Sequence, residues 1–194
     1  MTTRVLFAGM DGAGKSTLSC SVYRWLVQAG YDAGLHEIDV WSDTHGPILG
    51  QKGWPERNKR GNEVRNYLAD EFSAAIGQFV SDRRHDLVLG DLHGRWQMPD
   101  LEYWQKLRAD GAVLVLRHPT EKDSRIACPQ RPEDWEAFLA RWDIPILFRV
   151  FSLQDGQSAP ADDLPVTGLD RELRHDDPLI RRVAMRLIET TGLK

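Results

Sequence analysis

Cysteine is nearly missing from this sequence: Cys20 and Cys128 are the two present, far apart in the chain. Two such residues build neither a disulfide framework nor a metal cluster, so a reducing cytosol is the expected setting. Long apolar runs are missing as well. No stretch approaches the roughly 20 residues of a membrane span. Met1-Thr2-Thr3-Arg4 leads straight into an apolar strand, so no secretory signal is expected. Nor is there a basic excess. Lys and Arg number 25 against 29 Asp and Glu, and the net charge of −4 argues against general nucleic-acid binding. Internal repeats and low-complexity tracts are also absent. What is there is an ordinary globular composition, 41% hydrophobic and 28% charged, in 194 residues. That length supports one sizeable core, and a single domain over 1–194 is expected. Seven tryptophans exceed the usual share, but they are scattered and name no ligand.

Strand and helix patterns alternate along the chain. Val5 to Ala8 reads as a buried strand ending at a glycine. A helix follows from Lys15 to about Ala29, with Leu18, Val22, Trp25 and Leu26 on one face and Gly30 as the stop. Leu35 to Val40 reads as a second strand, and Trp41 to Gly61 as a polar stretch rich in Gly, Pro, Lys and Arg. Val64, Leu68, Phe72, Ile76 and Phe79 mark a helix from about Asn62 to Asp82. Asp86 to Gly90 is a third strand, Leu101 to Ala109 a helix, and Ala112 to Leu116 a fourth strand. Pro132 to Trp142 is helical and Ile146 to Phe151 is a fifth strand. Ser158 to Pro165 reads as a surface loop, and Asp177 caps a last helix. The pattern predicts an α/β fold: a doubly wound, mostly parallel five-stranded sheet with helices on both faces.

The first strand runs into Gly9-Met10-Asp11-Gly12-Ala13-Gly14-Lys15-Ser16, which satisfies G-x-x-x-x-G-K-[ST] with a strand before it and a helix after it. Glycines at 9, 12 and 14 let the backbone wrap a phosphate with its N–H groups turned inward. The helix beginning near Lys15 adds its positive end. This P-loop predicts binding of a nucleoside triphosphate, ATP or GTP, with Mg²⁺. Gly9, Asp11, Gly12, Ala13, Gly14, Lys15, Ser16 and Thr17 form the contacting set. Lys15 is expected exposed and reaching the β- and γ-phosphates, with the Ser16 hydroxyl on Mg²⁺. A further carboxylate is needed for the metal. Asp91, at the carboxyl end of the third strand, is the candidate, as a ligand or one shell out. Asp39 and Asp43 stand next in line. Asp11 can orient water or an acceptor, or simply serve the turn.

Phe7 to Leu18, FAGMDGAGKSTL, resembles the P-loop of the thymidylate kinase group of nucleoside monophosphate kinases, within the P-loop NTPase superfamily. The helix 62–82, the strand after it and Asp91 follow a similar path, and the similarity covers roughly the first half of the chain. Leu92 stands where that family has an arginine, with Arg95 the nearest, and the Arg-rich lid helix is missing. The resemblance implies an Mg-dependent kinase that moves the ATP γ-phosphoryl group to a small anionic, nucleotide-like acceptor. Lys15, Asp91, Arg117 and Arg125 would be catalytic, and Arg131 would join the two arginines in neutralising phosphate charge. It also places the acceptor at the basic stretch Lys52, Arg57, Lys59, Arg60 and Arg65, beside Trp41 and Trp54.

Two other readings compete. Asp91-Leu92-His93-Gly94 fits the D-x-x-G that follows the third strand in switch GTPases, although Thr120-Glu121-Lys122-Asp123 lacks the order of a guanine-reading motif. The strand layout equally fits accessory ATPases and GTPases related to dethiobiotin synthetase and cofactor-assembly factors, which hydrolyse the nucleotide. More remotely, Asp43-Thr44-His45 and Asp91-Leu92-His93 look like the Asp-x-His metal pairs of metallophosphoesterases, a family whose later signature is absent.

Overall fold

The computed structural model describes residues 1–38, 64–92, 94, 104–119, 131–154, 156–167, 169 and 176–193, with 64–70 given by their backbone alone. Strand β1 (Thr3–Gly9) leads into helix α1 (Lys15–Gln28) and strand β2 (Ala33–Glu37). Helix α2 (Val64–Ser81), strand β3 (Leu87–Asp91) and strand β4 (Gly111–Arg117) come next. Helix α3 (Pro132–Arg141), strands β5 (Ile146–Leu153) and β6 (Leu164–Thr167), and helix α4 (Pro178–Thr191) complete the described elements. Among the described residues the sheet has six strands in the order β2-β3-β1-β4-β5-β6, with every pairing parallel. Five strands were expected. The sixth starts at Leu164, inside the stretch that reads as a surface loop.

The central strands are buried on both faces, which is why β1, β3 and β4 are nearly continuous apolar runs rather than alternating ones. Helices α1 and α4 pack against each other. Across the sheet, α2 and α3 are bridged by Trp104, whose ring meets Phe72 at 5.1 Å and Phe138 at 4.9 Å, both edge-on. The helix expected over Leu101–Ala109 does not hold through its described part. The chain turns at 105–106, and the Leu107 amide donates to the Trp104 carbonyl. Helix α4 starts as its sequence predicts: Asp177 Oδ1 accepts from the Leu179 amide at 2.8 Å, and Pro178 follows. Among the described residues, no helix is long and apolar enough to cross a membrane.

The amino ends of the strands form one end of the sheet, and there the charged side chains serve the fold. Arg4, at the start of β1, donates to the carbonyls of Phe79 and Asp82 and so caps the last turn of α2. Asp82 is buried and accepts from His36 at 2.9 Å, His85 at 3.1 Å and the Arg84 amide at 2.8 Å. Burial pushes its carboxyl up, but the hydrogen bonds from His36, the Arg84 amide and His85 outweigh that and hold it well below the usual carboxylate range. This network ties edge strand β2 to the end of α2.

Candidate functional site

The phosphate loop leaves β1 at Gly9, where φ is +135° and a Cβ would stand 2.0 Å from the Val115 carbonyl oxygen of β4. Only glycine lets the two chains come this close. The Met10 amide then donates to that same carbonyl at 3.1 Å, so the loop is moored to β4 at its first step. The loop turns through Gly12 (φ +68°) and reaches Gly14 (φ +79°), which caps α1 in a left-handed conformation. Among the described residues no side chain caps that helix, in contrast to α4, and an amino end of this kind suits an anion. A Cβ at Gly14 would strike Leu169 at 2.6 Å. The segment after β6 therefore walls the loop from the far side.

Lys15 corrects one expectation: it is buried, not exposed. Its Nζ donates to the Met10 carbonyl at 2.9 Å, which stretches the side chain back along the loop. Thr17 is also buried, while Ser16 and Asp11 are partly exposed. Ala13 is fully buried, and its amide donates to the Met10 carbonyl at 3.2 Å.

Asp91 ends β3 directly beside the loop. It pairs in register with Phe7 of β1 and with Glu37 of β2, and the next amide, Leu92, donates to the Phe7 carbonyl at 3.0 Å. The residue is fully buried. Three positions on, Gly94 lies against the loop: a Cβ there would be 2.8 Å from Asp11 Cα and 3.0 Å from Lys15 Nζ. The structure thus brings Asp91, Gly94 and the P-loop lysine to one place, at the carboxyl ends of β1 and β3, where open α/β sheets bind ligands.

Arg117 ends β4 and reaches the same loop. Its Nε donates to the Asp11 carbonyl at 2.8 Å, and its Nη1 to the His118 carbonyl at 3.0 Å. Arg131 instead caps α3, its amide donating to the Asp134 carboxylate at 3.2 Å. Arg125, Asp39, Asp43, His45, Trp41, Lys52, Trp54, Arg57, Lys59, Arg60, His93, Arg95 and Thr120–Asp123 lie outside the described residues, as does the side chain of Arg65. Sequence reasoning missed Gly94 as a loop contact and Arg117 as a loop anchor. The D-x-x-G spacing was a signal for the first, whereas the second contact spans 106 positions.

A cavity of about 610 Å³ opens at the opposite end of the sheet, lined among others by Arg4, Arg108, Arg141 and Trp142. Its cations already have work there. Arg4 caps α2, Arg108 donates to the Gln105 and Leu107 carbonyls, and Arg141 lies over the Trp142 ring at 5.5 Å. The candidate residues gather instead at the loop.

No protein-family model matches the sequence, and no curated protein matches it. Solved structures do. Cobyrinic acid a,c-diamide synthase from Mycobacterium smegmatis, with bound ADP and magnesium, superposes with a TM-score of 0.59 at 15% identity, over 99% of this chain and 96% of that one. A plasmid partition protein from Borrelia burgdorferi bound to AMPPNP gives 0.59 at 9% identity, over 98% of each chain. A nucleotide-binding protein from Archaeoglobus fulgidus in complex with ADP gives 0.52 at 15% identity, over 99% of this chain and 79% of that one. None of these three is a nucleoside monophosphate kinase. At such identities a likeness carries the architecture alone, and that architecture is clear: this chain has the fold of the P-loop NTPases.

Proposed function

We propose that this chain is an Mg-dependent ATPase of the accessory or switch type, binding ATP on Gly9–Thr17 and transferring its γ-phosphoryl group to water. The observation that carries this reading is the seat of Gly94 against Asp11 and Lys15. A segment that begins at a buried strand-end aspartate and rests on the phosphate lysine is placed to register whether a γ-phosphate is present. Switch segments of nucleotide hydrolases work in this way. The solved structures of the same fold carry ADP with magnesium or an ATP analogue, which supports the adenine nucleotide.

The residues present fit such a ligand. Three left-handed glycines and an uncapped helix end supply a backbone cradle for phosphate. Lys15 Nζ, now on the Met10 carbonyl, exchanges that partner for phosphate oxygen. The Ser16 hydroxyl and the Asp91 carboxylate would hold Mg²⁺. When bound, the ion would offset the negative charge of the transferring phosphoryl group. The chain's own part is to position and to keep water out, since phosphoryl transfer asks little covalent chemistry of a protein. Transfer to a small anionic acceptor is the weaker reading, because none of the similar structures reported above is named as a kinase.

A nucleotide panel tests the proposal. The purified chain should bind ATP over GTP and release phosphate slowly, with Mg²⁺ and without any acceptor. Lys15→Met, which keeps the bulk of a buried side chain, should lower turnover by about a hundredfold or more, on the scale of losing a main electrostatic group. ADP formation that requires an added nucleoside monophosphate would make the chain a kinase. Failure to bind any nucleotide would remove the reading altogether.

A further inference from the structure

We infer that Arg117 is a positioning residue for phosphate binding, which sets the direction of the Gly12 amide by holding the Asp11 carbonyl. The inference deepens the ATPase reading and rests on it. Sequence reasoning casts Arg117 as a cation that neutralises transferring phosphate. The geometry points elsewhere.

The Asp11 carbonyl and the Gly12 N–H belong to one planar trans peptide and point in opposite directions. Arg117 Nε donates to the Asp11 carbonyl at 2.8 Å from the β4 side. With the oxygen drawn towards β4, the Gly12 N–H is turned to the other side of the loop. That peptide is the one most in need of a hold. Gly12 sits at φ +68° and is exposed, and among the described residues a Cβ there would meet Arg117 Nε alone, at 3.7 Å. The neighbouring peptides have other moorings, since Met10 donates to Val115 and the Met10 carbonyl accepts from Lys15 Nζ and Ala13.

The guanidinium is itself fixed. Its Nη1 donates to the His118 carbonyl at 3.0 Å, and the His118 ring is edge-on to Phe151 at 4.8 Å. Two donors in a rigid plane, aimed at two carbonyls on different segments, is work that a lysine cannot do.

The test separates orientation from charge. Arg117→Lys keeps the cation and loses the fork; Arg117→Ala loses both. Both should weaken ADP binding by about 10–100-fold, the scale of one hydrogen bond from a charged group. Unfolding midpoints should stay close to that of the parent, since the contact joins a loop to a strand end rather than core to core. The Gly12 amide, followed by NMR, should shift strongly when ADP and Mg²⁺ are added to the parent and move far less in both variants. Parent-like ADP affinity in Arg117→Lys with loss in Arg117→Ala would show that charge is what matters and overturn the inference. A normal Gly12 shift in Arg117→Ala would overturn it too. Silence of the parent with ADP would sink the nucleotide reading itself, a result distinct from either.

Discussion

Replacing Gly94 with alanine is the sharpest test of a link between the β3 end and the phosphate loop. The new Cβ would lie 2.8 Å from Asp11 Cα, 3.0 Å from Lys15 Nζ and 3.1 Å from Asp11 Cβ, where ordinary contact begins near 3.4 Å. Lys15 Nζ is the tip of a flexible chain and can step aside. Asp11 Cα is backbone, so the loop and the segment must separate by at least the shortfall of 3.4 less 2.8, or 0.6 Å. A displacement approaching 1 Å among positioning groups costs about a hundredfold in rate, which corresponds to about 2.7 kcal/mol on the barrier. ADP binding should suffer less, because the loop amides and α1 are intact if the segment, rather than the loop, gives way. The assay is phosphate release under saturating ATP and Mg²⁺, beside ADP titration calorimetry and circular dichroism to confirm the fold. Parent-like turnover in a folded Gly94→Ala protein would refute the reasoning, since the segment would then move without consequence for the reaction.

Two further predictions concern the frame. Asp82→Asn should cost about 1–3 kcal/mol in urea unfolding at neutral pH, as a buried carboxylate with four donors loses its charge. Because the folded carboxyl lies below its ordinary value, its contribution is complete above the usual carboxylate range and fades as pH falls through and below that range. The gap between parent and variant should therefore narrow from pH 7 to pH 3, and a constant gap would contradict the assignment. Asp143→Gly should stabilise the chain by up to about 1 kcal/mol. Asp143 holds φ +54° just past α3, where the Ile144 amide donates back to the Leu139 carbonyl, a left-handed position suited to glycine. A lowered urea midpoint would show that the aspartate side chain has work there.

The parts legible in the sequence are those whose physics is local. Gly9 to Ser16 announces itself because its glycines, all at positive φ, stand at a fixed spacing between a strand and a helix start, and Asp91 because a buried strand ends at it. Strand β6 was illegible for a reason equally local. Leu164-Pro165-Val166-Thr167 is four residues long, with a proline inside and Pro160 and two aspartates before it, and such a sequence is tolerated as a strand only at a sheet edge. Leu101, Trp104 and Leu107 mimic helical spacing, yet Trp104 is buried because Phe72 and Phe138 receive it, a tertiary fact. The His36–Asp82–His85 network carries no pattern in the sequence. Nor does the grip of Arg117 on Asp11.

The loop's moorings also bear on how the site comes into being. Its own residues are among the first seventeen of the chain, but Gly9 and Met10 are held by Val115, Asp11 by Arg117, and Gly14 is walled by Leu169. A chain growing from its amino end thus carries a complete motif and no site until its last quarter has emerged. Contacts of such sequence separation form late, after loop-closure entropy has been overcome. On the proposed reading, nucleotide would therefore meet a finished sheet. It can reward the folded state by mass action, but the first half of the chain, with every residue of the motif in hand, has no braced loop on which to nucleate folding.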